Sequence, residues 1–146
     1  MNRLQQRLRS EEGFTLIELL VVMIIIGILI AIAVPSYLAF RGTAQDTKGK
    51  ADVRAAVPDA EEYFSVNNNY SSMDFAALKA LDSGIGTDVY VTSTDDAYCL
   101  AAVGQGTSIW YYAGPGGSVT ATEPTAAGNG SAVTCPTATE MAVAQT

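Results

Sequence analysis

The sequence predicts an α+β chain: one long N-terminal helix, a small antiparallel β-sheet of 3-4 strands, and a C-terminal loop region pinned by a disulfide. Three observations carry this. Leu19 to Val34 is an unbroken apolar run, too long for a strand. The pattern after it turns amphipathic with helical spacing. The stretch from Val89 to Ala113 then breaks into short pieces rich in β-branched and aromatic residues, separated by turn residues.

The helix should run from about Phe14 to about Val66, roughly 80 Å at the helical rise. Past Pro35 the apolar run continues through Tyr37, Leu38 and Phe40. Val53, Val57, Ala60 and Phe64 then recur at spacings of four, three and four, while Asp46, Lys50 and Arg54 form an i,i+4 charge ladder on another face. The second half of the helix therefore needs a partner surface. Bends are expected at Pro35 and Pro58. Asn67, Asn68 and Asn69 end the helix, because asparagine favours turns and tolerates left-handed backbone. A short helical turn is expected at Phe75, Leu78 and Leu81 before Gly84 and Gly86 break it.

Three strands are expected at Val89 to Thr92, Tyr98 to Val103 and Ile109 to Ala113, with a fourth candidate at Val119 to Thr122. Their short connections favour antiparallel hairpins. Period-two alternation puts Trp110 and Tyr112 on one face and Tyr111 on the other, which reads as packing more readily than as a ligand platform. From Ala113 to Thr146 the chain is mostly Ala, Gly, Ser, Thr and Pro, with few sizeable apolar residues. Burial alone is not expected to hold such a segment down.

Charge is distributed unevenly. Arg3, Arg7 and Arg9 precede the apolar run, whereas the chain from Phe14 onward has five basic and thirteen acidic side chains. An acidic balance argues against direct nucleic-acid binding, which needs positive patches. The basic leader stays cytoplasmic by the positive-inside rule, so everything after Val34 faces outward. In that oxidising compartment Cys99 and Cys135 are expected to form a bridge, worth about 4 kcal/mol in the chain-entropy model, with a pair of buried free thiols as the alternative. A metal site is disfavoured, since the chain has no histidine and no Cys-x-x-Cys. Asp88, Asp95 and Asp96 lack calcium-loop spacing and read as a solvated acidic turn. No cofactor is implied, and no histidine, Gly-x-Ser-x-Gly or phosphate loop offers parts for catalysis, so the chain reads as no enzyme. Two glycosylation sequons, at Asn69 and Asn129, are too common a pattern to argue from.

The junction at the start of the run is the most specific feature. Gly13 is followed by Phe14-Thr15-Leu16-Ile17-Glu18-Leu19-Leu20, so one carboxylate stands at the edge of an apolar helix. Within a bilayer it is unfavourable by about 2.5 to 3.5 kcal/mol at mid-depth, and such an acid demands a function. Cleavage of the Gly13-Phe14 bond would create an amino group four residues from Glu18, on the same helical face.

These residues, with Gly27 inside the run and Pro35-Ser36-Tyr37 at its end, closely resemble the N-terminal signature of type IV prepilins and pseudopilins. The resemblance covers about the first quarter of the chain. It implies a pilin fold with the apolar half of the helix protruding, a leader at residues 1-13 that is removed, a transmembrane and filament-core helix at 14-40, and an extracytoplasmic head at 41-146. It further implies cleavage after Gly13 by a prepilin peptidase, N-methylation of Phe14, and a role for Glu18 in pairing with a neighbouring subunit's amino terminus. The partners implied are membrane lipid, an inner-membrane assembly platform and further copies of the chain, with the mature protein in a cell-surface pilus. Gly27 and Pro35 mark a stretch able to unwind when subunits pack, or a simple kink. The alternatives are a pseudopilin of a secretion or DNA-uptake machine, and a membrane-anchored or secreted binding domain cut at Ala31-Ile32-Ala33 or not at all.

Overall fold

The computed structural model describes residues 14-104 and 108-143. Helix α1 covers Leu16–Asn67 without interruption, including Gly27, Pro35 and Pro58. Its end is set as the asparagine cluster predicts, one residue into it: Asn68 takes a positive φ of 58° and its N–H bonds to the carbonyl of Phe64 at 2.7 Å. Helix α2, Phe75–Leu81, starts at Asp74, whose carboxylate accepts the Ala77 N–H at 2.7 Å. Strands β1 (Val89–Ser93), β2 (Tyr98–Val103) and β3 (Ile109–Gly114) form an antiparallel sheet in the order β1-β2-β3. The register pairs Val91 with Leu100 and Leu100 with Tyr112.

The chain divides into two compact units between Ala39 and Phe40. In the first, the large apolar side chains of α1 are all exposed. In the second, the two faces of the sheet carry two separate cores. Val53, Ala56 and Ala60 of α1 pack with Tyr98, Leu100 and Ala102 of β2, and Trp110 and Tyr112 lie partly buried against them. Tyr111 belongs to the opposite face with Cys99, Ala101 and Ala113, as the period-two alternation requires. Helix and sheet approach closely at Gly49, where an added Cβ would lie 3.0 Å from the Val103 carbonyl oxygen and 3.2 Å from the Trp110 ring.

Two expectations are corrected in the C-terminal part. The fourth strand at Val119 to Thr122 is a single bridge, Thr120 with Tyr111, held by bonds of 2.8 and 2.9 Å; the surrounding Gly and Pro residues leave no room for a longer ladder. The tail is also better anchored than its composition suggests. Ala127, Val133, Cys135 and Met141 are buried on the second face of the sheet, because small side chains allow close backbone approach there. A short helix missed in the sequence, α3 (Ala138–Val143), ends the described chain. It begins with Thr137, whose N–H and hydroxyl donate to Glu140 Oε2 at 2.7 and 2.9 Å.

Candidate assembly site

Helix α1 opens with the same device as α3. The Thr15 N–H donates to Glu18 Oε2 at 2.9 Å, the Thr15 hydroxyl donates to the same oxygen at 2.7 Å, and the Glu18 N–H donates back to Thr15 Oγ1 at 3.3 Å. This is a reciprocal capping box, which satisfies two of the orphan donors at a helix start. Glu18 thus has a structural task in the isolated chain besides the one its position suggests, and one of its oxygens, Oε1, takes no part in the box. Thr15 was missed in reading the sequence, although the Thr-x-x-Glu spacing before an apolar run was its signal.

Phe14 is exposed beside this cap. Gly13, the expected cleavage residue, and the basic leader lie outside the described residues. The side chains that follow, from Leu16 to Phe40, include Val21 at 46% and Leu16 at 82% exposure, so a continuous apolar surface surrounds the helix. Gly27 has nothing within 4 Å of an added Cβ. Pro35 lacks the N–H that would reach the Ala31 carbonyl, yet the helix is unbroken there, and the Ser36 hydroxyl bonds back to Ile32 O at 3.2 Å.

The head is tied together by polar groups whose partners come from distant parts of the chain. Glu61 receives the hydroxyls of Tyr98 at 2.7 Å and Tyr70 at 3.0 Å. Burial, with the Glu61 carboxylate behind it, pushes both tyrosine hydroxyls well above their ordinary range, so they remain neutral donors. The rings of Phe64, Tyr70 and Tyr98 meet in series at tilted angles, with centroids 4.8 and 4.7 Å apart. Lys48 sits between Asp52 at 2.6 Å and Asp88 at 2.7 Å, joining α1 to the start of β1, and the two carboxylates raise its pKa. Lys50 of the expected ladder lies over the Trp110 ring, 4.0 Å from its centroid.

The acidic trio falls apart as a group: Asp88 precedes β1 and pairs with Lys48, while Asp95 and Asp96 follow its other end and Asp95 accepts the Ser71 hydroxyl. Cys99 and Cys135 are joined, fastening the tail to β2 across 36 residues of sequence.

The chain is similar in sequence to known proteins. The prokaryotic N-terminal methylation motif matches residues 8–34. The type IV wide pilus major component of Thermus thermophilus is 38% identical over 112 residues, 74% of this chain and 85% of that protein. That match extends well beyond the N-terminal helix and into the head.

The chain belongs to the type IV pilin family.

Other relatives match over shorter stretches. The type IV major pilin of Myxococcus xanthus is 42% identical over 65 residues, 44% of this pilin and 29% of that protein. Type II secretion system core protein G of Pseudomonas aeruginosa is 39% identical over 64 residues, 44% of this pilin and 45% of that protein.

Proposed function

We propose that this pilin is a structural subunit of a type IV pilus, made as a prepilin, cut after Gly13, methylated on Phe14 and polymerised through α1. The observation that carries the reading is the exposed apolar surface from Leu16 to Phe40. It must be covered by lipid before assembly and by neighbouring helices after it, because leaving it in water forfeits about 25 cal/mol for every Å². Residues 1-13 are the cytoplasmic leader, 14-40 the membrane and filament-core segment, and 41-146 the head displayed at the surface. The prepilin peptidase and an inner-membrane assembly platform are the partners of maturation and assembly. The protein performs no catalysis of its own.

Glu18 supplies specificity. Packed among apolar helices, an unpaired amino terminus is prohibitive, and a carboxylate four residues along the next helix neutralises it. Only the register that joins the two is then favourable. The match to secretion core protein G keeps a second reading in view, a pseudopilin of a type II secretion or DNA-uptake machine, which would share the helix and differ in its outer domain.

The experiment is to examine cells expressing the protein with Glu18→Val. Membrane insertion should persist, mass spectrometry should place the mature N-terminus at Phe14, and sheared surface fibres should fall to a small fraction of the normal amount. Fibres at wild-type abundance would refute the role of Glu18, and a mature chain starting at Val34 would refute the pilin reading.

A further inference from the structure

The sheet of the head ends at β1, since the strand order is β1-β2-β3. The Thr94 N–H donates to the Ala97 carbonyl at 2.8 Å and closes the β1–β2 turn with a hydrogen-bonded pair. Bonded pairs alternate along an antiparallel ladder, so Thr92 with Cys99 and Tyr90 with Ala101 are the bonded pairs that follow. Val89, Val91 and Ser93 therefore turn their N–H and C=O groups away from β2, to the outer edge. The next hairpin has the same phase: the Gly104 N–H donates to Ser108 O at 2.8 Å, which commits Leu100 and Ala102 to β3 and leaves Cys99 and Ala101 for β1. Among the described residues no backbone group outside the sheet bonds to Val89 or Val91.

A groove of about 830 Å³ lies along this edge, lined by β1 from Val89 to Thr92 and by Phe75 and Pro136. Phe75 packs on the core of one face of the sheet, and Pro136 follows Cys135, which belongs to the core of the other. Open edges are usually blunted by a lysine, a proline or a bulge. The sequence of β1, Val-Tyr-Val-Thr-Ser, has neither residue. Asp88 and Glu140 also line the groove, and no basic side chain among the described residues does. Lys48 reaches Asp88 from α1, yet the Asp88 side chain is 45% exposed. The Thr137 N–H and hydroxyl hold the Glu140 carboxyl below its ordinary range, so it is ionised at neutral pH.

We infer that β1 is a docking edge for an extended peptide strand of a different protein, one with aliphatic side chains flanked by lysine or arginine. An extended backbone presents donors and acceptors at the two-residue spacing of Val89 and Val91. Its basic flanks meet Asp88 and Glu140. A second copy of this chain does not supply them. From Phe14 onward the basic side chains are Arg41, Lys48, Lys50, Arg54 and Lys79, all in α1 or α2 and none on an extended segment. Arg3, Arg7 and Arg9 depart with the leader in the proposed processing. Pairing β1 with β1 of another copy would bring two acidic grooves together, and like charges across a strand pair repel. The edge is thus open to a basic strand and closed to its own kind.

The test is binding of a fluorescently labelled, end-capped Lys-Val-Thr-Val-Lys peptide to the full chain in non-ionic detergent, read by anisotropy; it requires neither export nor assembly. Saturable binding is expected, with Glu-Val-Thr-Val-Glu about tenfold weaker or worse. Two N-methylated forms, one on both valines and one on the threonine and second lysine, each block one edge of the peptide. One should lose binding and the other keep it. Glu140→Gln preserves the cap with Thr137 and should weaken binding about threefold, as for one exposed ion pair. Val91→Pro removes an outward N–H and no ladder bond, so it should abolish binding while Trp110 fluorescence stays that of the folded head. Methylation that matters on neither edge, or on both, overturns strand pairing whether or not Val91→Pro folds. Equal binding of the acidic peptide overturns the basic partner, and heads that pair with one another through β1 make a second copy the occupant instead. No saturable binding of the basic peptide overturns the docking edge itself.

Discussion

Asp59 is the residue whose replacement should strengthen this pilin. It follows Pro58 in α1 and is only 8% exposed, and its Oδ2 is buried with no hydrogen-bond partner among the described residues. Burial raises the carboxyl pKa above 3.8, and the charges of Asp82 and Glu62 push it the same way. An orphaned buried polar atom costs about 1 to 3 kcal/mol, and more when charged. Asp59→Asn keeps the shape and one orphaned polar atom but removes the charge, so a gain of about 1 kcal/mol at pH 7 is expected, near the lower end of that range. For a head of this size that is a rise in Tm of about 4 to 8 °C.

The sign with pH follows from linkage. A raised folded pKa means the folded wild type takes up its proton before the unfolded chain does. Wild-type stability therefore recovers as pH falls through the folded pKa, and the recovery is complete only below 3.8, the unfolded value. The advantage of Asp59→Asn should shrink over the same window. Urea unfolding of the full chain in detergent reads this out, with Trp110, the single tryptophan, as a reporter inside the helix–sheet core. Equal midpoints at pH 7, or an advantage that does not narrow on acidification, would refute the reasoning.

Three further outcomes are expected. Gly49→Val should destabilise the head by about 1 to 3 kcal/mol, because its Cβ alone meets the Val103 carbonyl at 3.0 Å and neither backbone can give way; the same urea titration checks it. Cys135→Ser should lose about 4 kcal/mol in the chain-entropy model, and limited proteolysis should then cut first between Gly114 and Thr146; an unchanged digestion pattern would show that burial of Val133 and Met141 suffices. Finally, α1 should lose helicity between Gly27 and Pro35 when subunits pack in a fibre, since the Ala31 carbonyl lacks its usual donor; a cryo-electron microscopy map with an unbroken helix there would leave only the continuous form found in the single chain.

Much of this protein was legible from its residues because the signals are local. An unbroken apolar run can satisfy its backbone in lipid only as a helix, so α1 follows from composition and length. Period-two alternation placed Trp110 and Tyr111 on opposite faces, and the two cores are arranged so. Asn68 ended the helix by the left-handed backbone its side chain tolerates. The Thr15-to-Glu18 box was equally local but went unread, although its Thr-x-x-Glu spacing was signal enough.

What only the tertiary structure decided involves partners far apart in sequence. Nothing near Glu61 announces that it receives hydroxyls from Tyr70 and Tyr98, and nothing near Lys48 announces Asp88 forty residues on. Asp59 looks like any surface acid of a polar helix face until the head closes over one of its oxygens. The Ala- and Gly-rich tail reads as unable to hold itself, because burial is a property of two surfaces and its small side chains reveal only one; the second face of the sheet supplies the other.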